Sequence, residues 1–225
     1  MEESLNVIRF FKDGGLFMFP IAMVLVVGLS ISIERFIYLT TTRLSNRRAI
    51  ETLMPLLQKQ DYKAAIKIAK ESDAPIAQII CLGIARIPVS RHREDIEYAM
   101  EEGVLEAIPR LEKRTQYLAT FSNISTLLGL LGTIIGLIAA FTAVANADPS
   151  EKATLLSQSI SVAMNCSAFG LISAIPLLLC HAYLQSKTLE IVDSLEMAGV
   201  KFLNILAENN VTFSHPRPTE AEPKK

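Results

Sequence analysis

Two stretches without a single Asp, Glu, Lys or Arg, residues 115–147 and 153–186, are separated by only five residues, Asp148 to Lys152. Each exceeds the ~20 apolar residues that a helix needs to cross about 30 Å of hydrocarbon. So short a connection forces the second helix back across the same membrane, and the pair reads as a hairpin. Both segments are laced with Gly, Ser and Thr, a composition suited to close helix packing or to a narrow polar path. Neither brings a carboxylate of its own.

A third charge-free run, Gly14 to Ile33, lies near the start of the chain. A cleaved signal peptide is the competing reading. It is disfavoured because acidic residues (Glu2, Glu3, Asp13) precede the run, the run is long, and no small-residue cleavage site follows it. A retained first span is expected. Mean hydropathy is +0.34 with 20% charged residues, an average over apolar spans and a polar middle. Arg35, Arg43, Arg47 and Arg48 crowd the end of span one, and Arg110, Lys113 and Arg114 crowd the start of span two. The 148–152 turn holds only Lys152. Basic flanks stay in the cytoplasm, so the N-terminus is expected outside, 34–114 inside, the turn outside and the C-terminus inside. His181 and Lys187 at the end of span three agree.

The expected organisation is an outer N-terminus over 1–13, transmembrane helix 1 over 14–39, and a cytoplasmic helical domain over 40–119. Transmembrane helix 2 covers 120–146, an outer loop 147–153 and transmembrane helix 3 covers 154–183. A cytoplasmic C-terminal helix over 184–210 and a disordered tail over 211–225 follow. Within the polar domain, Ser45 or Asn46 is suited to cap a helix over Arg47–Gln58, and Asp61 one running to about Ser72 with Tyr62, Ala65, Ile66 and Ala69 on one face. Asp73-Ala74-Pro75 opens a third helix, Ile76 to Ile87, and Ser90 caps a fourth. No stop signal separates that fourth helix from span two, because Gly103 and Pro109 predict a bend only. Nothing alternates like a strand. The fold class is an all-α integral membrane protein with three transmembrane helices and long cytoplasmic helical extensions.

Span two carries Ser122, Thr126, Gly129, Thr133, Gly136 and Ala140 at alternating intervals of four and three, one narrow helical face of small or hydroxylated residues. Packing against another helix explains such a face; a water-accessible pore lining is the sharper alternative. Span three carries Thr154, Gln158, Ser161 and Asn165 at the same intervals. Facing lipid, these polar groups would be costly, so they must meet other helices or water. Ser167 projects roughly opposite Asn165, and Pro176 is placed to alter the phase beyond it. Span three therefore needs protein on most sides, which three helices cannot provide, and oligomerisation follows. Cys81, Cys166 and Cys180 and the scattered His residues have no metal-ligand spacing, and no cofactor is expected. There is no nucleophile–base pair or phosphate loop, so no enzyme is expected, and the basic clusters are explained by topology rather than by nucleic acid.

The segment Leu128-Gly129-Leu130-Leu131-Gly132-Thr133-Ile134-Ile135-Gly136-Leu137, followed by Ser159 to Pro176 with its Gly170-Leu171-Ile172-Ser173-Ala174-Ile175-Pro176 ending, resembles the paired-helix signature of the MotA/TolQ/ExbB proton-channel family. Gly14-Gly15, Pro20 and Glu34-Arg35-Phe36-Ile37-Tyr38 resemble its first span. The similarity covers about residues 10–205, and three spans place the chain nearer the TolQ/ExbB branch than the four-span MotA branch. The resemblance implies a multi-pass protein of the bacterial inner membrane, assembled as a ring, a homo-pentamer, with spans two and three lining the lumen. An ExbD/TolR-like single-span partner would supply the proton-binding Asp, and a TonB-like or TolA-like energy transducer is a further candidate partner. Thr133 matches the family's pore threonine. Ser167 stands where the third-span threonine usually falls, and Val162 where the ExbB branch often carries a glutamate. Pro20, Glu34, Arg35 and Pro176 are the structural positions so implied.

The function expected from this resemblance is a stator subunit that turns proton motive force into work on the cell envelope. Neutralising the partner Asp beside Thr133 and Ser167 would free the partner helix to shift. A passive membrane scaffold, whose stripes serve packing alone, is the other class. The residues leave open sodium in place of protons and the process driven.

Overall fold

The structure, a computed structural model, describes residues 15–89, 92–145 and 147–209. The elements are α1 (Met18–Gln58), α2 (Tyr62–Glu71), α3 (Pro75–Arg86), α4 (Arg93–Glu112), α5 (Thr115–Ala145) and α6 (Lys152–Glu208). Three helical stretches are long and apolar enough to cross a membrane: Met18–Gln58, Arg93–Ala145, which is interrupted at 113–114 and is apolar in its α5 part, and Lys152–Glu208. The last has 57 residues, about 85 Å at 1.5 Å per residue. The expected outer segment 1–13, the tail 211–225 and the Ser90 cap lie outside the described residues.

The described residues fall into two compact units. One takes those up to Phe36 together with Arg114–Gln185; the other takes Ile37–Lys113 together with those from Ser186 onward. In the first unit α1 approaches α6 through Gly28, where an added Cβ would lie 2.6 Å from Leu177 Cδ2. Met18 and Ile21 of α1 are buried with Cys166 and Phe169 of α6. Phe36 stacks on Tyr183, with ring centroids 6.1 Å apart. Glu34 accepts from Arg114 Nη1 at 2.7 Å, and its neighbour Arg35 is buried. Pro20 sits exposed in the first turn of α1, where its missing N–H costs the helix nothing. Pro176 lies inside α6, which continues through it; membrane helices tolerate such a residue when neighbours satisfy the freed carbonyl.

The second unit is built around α3. Its Ile76, Ile79 and Ile80 are essentially inaccessible, each contributing about 1.5–3 kcal/mol by leaving water. At 12 residues, α3 spans roughly 18 Å, too short to cross a bilayer and suited to a core. Asp61 caps α2 by accepting from Ala64 N at 3.1 Å. Ala65 and Ala69 of the expected face are buried, and Tyr62 and Ile66 are half-buried.

Three local expectations need correction. Arg47–Gln58 is not a separate helix but the end of the 41-residue α1. Neither Ser45 nor Asn46 caps a helix start there; Asn46 instead turns its Oδ1 to Ile76 N at 3.3 Å, satisfying an orphan amide at the start of α3, where Ala74 supplies no side-chain cap. The fourth helix starts at Arg93 with His92 as its cap, His92 N donating to Asp95 Oδ2 at 3.2 Å. It does not flow into span two: it ends at Glu112, and α5 begins at Thr115. Arg114 takes a left-handed φ of 65°, and its side chain is drawn to Glu34. The break sits where the polar segment gives way to the charge-free one, three residues beyond Leu111.

Glu190 on α6 receives Lys187 Nζ at 2.9 Å and lies 3.4 Å from Arg43 Nη1. The Lys187 hydrogen bond, against some desolvation and aided by the charges of Lys187 and Arg43, holds its carboxyl below the ordinary carboxylate range. A depressed carboxyl contributes stability above its unfolded pKa and loses it as pH falls through the folded value. Glu190→Gln should therefore lower the unfolding midpoint slightly at neutral pH, with the difference vanishing in acid below the carboxylate range. Asn46→Ala should cost more, about 1 kcal/mol, and should speed amide exchange at Ile76 by roughly tenfold; unchanged exchange there would contradict the capping role.

Candidate functional site

The α5–α6 hairpin is held by backbone approach. At Gly129, a Cβ would meet Gly170 Cα at 3.2 Å and both Ser167 Cα and the Cys166 carbonyl at 3.3 Å. At Gly170, it would meet the Ser125 carbonyl at 2.8 Å and Gly129 Cα at 3.0 Å. Gly136 lies against Ala163, and Gly132 against Cys166 and Phe17. Ser122 Oγ donates to the Ala174 carbonyl at 2.8 Å. The helices are therefore antiparallel, in register from Ser122 beside Ala174 to Gly136 beside Ala163.

That contact splits the stripe of span two. Ser122, Gly129 and Ala140 are buried and Gly136 is half-buried, so packing accounts for these four. Thr126 and Thr133 fall on the flank. Thr126 is exposed and donates to the Ser122 carbonyl at 3.2 Å. Thr133 is half-buried and donates to Leu130 O at 2.6 Å. Each hydroxyl thus satisfies its hydrogen within its own helix and keeps its oxygen as an acceptor toward whatever stands beside it.

On α6, Thr154, Gln158, Ser161 and Asn165, with Ser157 and Val162, line one open polar groove. Gln158 and Ser161 are exposed, and Asn165 is half-buried. Ser167 is on another face, half-buried with its backbone against Gly129. The structure therefore brings Ser167 and Gly129 together and keeps the Gln158–Ser161–Asn165 row apart from them. Carboxylates are absent from both 115–147 and 153–186, and no cluster of potential metal ligands occurs among the described residues.

The stripe pattern missed two features. One is the α6 counterpart of the glycines, Ala163, Cys166, Gly170 and Ala174, visible in hindsight as small residues at helical spacing. The other is a pair of buried serines, Ser125 and Ser173, whose hydroxyls have no hydrogen-bond partner among the described residues. No sequence signal distinguishes them from the other serines of the spans.

Fold and site together describe a membrane protein whose described residues form helices, three stretches of them long and apolar enough to span, with an uncharged polar surface and a glycine-paired hairpin. Residues 71–197 match the model of the MotA/TolQ/ExbB proton channel family, and the chain belongs to that family. It is 27% identical over 214 residues to the putative biopolymer transport protein ExbB homolog of Methanothermobacter thermautotrophicus, covering 92% of this chain and 75% of that one. It is 31% identical over 115 residues to the Tol-Pal system protein TolQ of Haemophilus influenzae, covering 46% of this chain and 49% of that one. These relatives support the TolQ/ExbB branch. The structure of C. jejuni MotAB shares the fold, with a TM-score of 0.56 at 15% identity over 94% of this chain and 89% of that one. The family is one of channel and transport subunits rather than of enzymes.

Gly170→Ala should loosen the hairpin, because its Cβ meets backbone that cannot swing aside; a loss of about 1–3 kcal/mol is expected. Gly199→Ala, whose Cβ would rest 3.5 Å from the flexible end of Met100, should be tolerated. Thermal unfolding in detergent reads both, and equal midpoints would contradict the close-contact account.

Proposed function

We propose that this chain forms a ring, a pentamer in the manner of its family, in the bacterial inner membrane. Its N-terminus and the 148–152 turn lie outside, and the polar segment 34–114 lies in the cytoplasm. The observation that carries this reading is the open polar groove of Thr154, Gln158, Ser161 and Asn165 on a membrane-length helix. Exposed to hydrocarbon, such groups cost free energy with nothing to offset it. Facing a shared lumen, they meet water and a partner helix.

The chain offers hydroxyls and amides but no acid in its hairpin, so the proton-binding group comes from elsewhere. An ExbD/TolR-like single-span protein carrying an intramembrane Asp supplies it. Thr133, Thr126, Ser161, Gln158, Asn165 and Ser167 form the uncharged side of the pathway, and Ser122, Gly129 and Gly136 set the helix spacing that presents them. A proton arriving from outside neutralises the Asp, removes the cost of holding a charge in the membrane and lets the partner helix shift. Release to the cytoplasm restores the charge. One charge crossing the full potential is worth ~2.3 kcal/mol per 100 mV, enough over several protons to drive a TonB-like or TolA-like transducer in the envelope.

Vesicles holding this chain with its partner should conduct protons, and replacing the partner's Asp by Asn should abolish the flux. Thr133→Val removes a hydroxyl from the pathway at a cost of ~1.4 kcal/mol, about tenfold in rate. Flux through this chain alone, or full flux with Thr133→Val, would overturn the assignment.

A further inference from the structure

The second unit carries a groove that its own core does not fill. Between α4 and α6 lies an opening of about 350 Å³ with Ile79 of α3 as its floor and Val104, Ile108 and Leu203 on its walls. Leu105 and Val200 on its edges are 62% and 50% exposed. Glu97, Glu101 and Glu196 ring it, and none of these carboxylates has an ion-pair partner among the described residues. An apolar floor with a one-signed rim fits a surface that is apolar and basic.

The chain itself presents such a surface. On α1, Leu44, Arg47, Arg48 and Glu51 share one outward face at helical spacing. Leu44 is 48% exposed; Arg47 pairs with Glu51 of the same face at 3.0 Å, and the Arg48 guanidinium has no ion pair among the described residues, so Arg48 is the cation this face has to offer. The heights agree as well. Within this unit α1 and α6 run side by side, tied by Arg43 to Glu190 at 3.4 Å and by Asn209 Nδ2 to the Leu57 carbonyl at 3.4 Å. These two ties bracket Gly199 on α6 with the turn around Ala49 on α1, and Gly199 faces Met100 of α4. The carboxylates and the arginines therefore sit at one level along the helices. A cyclic ring makes head-to-tail contacts between two different faces, and copies around an axis parallel to these helices meet at equal height.

We propose that a second copy of this chain occupies the groove: the Leu44–Arg47–Arg48 ridge of one subunit docks on the Glu97–Glu101–Glu196 rim of the next. This rests on the ring proposed above and identifies its contact outside the membrane. Pairing of Arg48 with the glutamate rim then closes each joint of the ring and orients one subunit against the next.

The test is disulfide trapping in membranes that contain the full chain and its partner. The doubly substituted chain Arg48→Cys/Glu101→Cys should give, on oxidation, a ladder of covalent multimers. Each single variant and the parent, with Cys81, Cys166 and Cys180, should stay at background. Glu101→Arg should cut the fraction of intact rings at least severalfold, and adding Arg48→Glu in the same chain should restore it. A particle of several copies by native mass that gives neither ladder nor rescue overturns this contact and leaves the ring standing. A single-copy particle overturns the ring and this contact together. Trapping of Glu101→Cys to a polypeptide of another mass would assign the groove to that partner and overturn the proposal.

Discussion

At Gly129 and Gly170 the backbones of α5 and α6 meet with no side chain between them, and the direction of the polar groups on both spans follows from that contact. In a lipid setting there is little hydrophobic drive to pair helices, so close van der Waals approach and interhelical hydrogen bonds take its place. The glycines supply the first and Ser122, bonded to the Ala174 carbonyl, the second. Once that face is spent on packing, Thr126 and Thr133 are carried to the flank and the Thr154–Asn165 row to the opposite side of α6. A helix pair that used its hydroxyls as glue along its whole length would have none left to offer a proton pathway.

Much of this was legible in the chain. Charge-free length marks the spans because a charge inside hydrocarbon is expensive, and Asp61 and Pro75 announce helix starts through groups only those starts can use. The six-residue stripe of α5 was legible as a face but not as two surfaces. Its members differ by only a fraction of a turn, and which of them meets α6 depends on the rotation of a partner that no single-helix pattern contains. Asn46 shows the same limit: its side chain announced a cap, but the helix it caps is thirty residues away in sequence. The break at Lys113–Arg114 was equally hidden. Arg114 is an unremarkable helix former whose left-handed backbone accompanies an ion pair with Glu34, eighty residues away.

Charge is unevenly distributed along the chain. The hairpin carries hydroxyls, amides and glycine but no acid, while α4 is heavily acidic and the latter half of α1 basic. In the proposed reading, the membrane-length helices shape a path without binding its ion, and the charged surfaces serve contacts outside the bilayer. Both halves of the functional reading need further polypeptides, another chain for the acid and copies of this one for the enclosure.

Aqueous access to α6 tests the central claim most directly. In assembled complexes in native membranes, Ser161→Cys should react rapidly with a small, water-soluble, membrane-impermeant thiol reagent, whereas Ile172→Cys on the same helix should resist it. A Ser161→Cys thiol that stays as unreactive as the one at position 172 would place the polar row against lipid or dry protein and contradict the account.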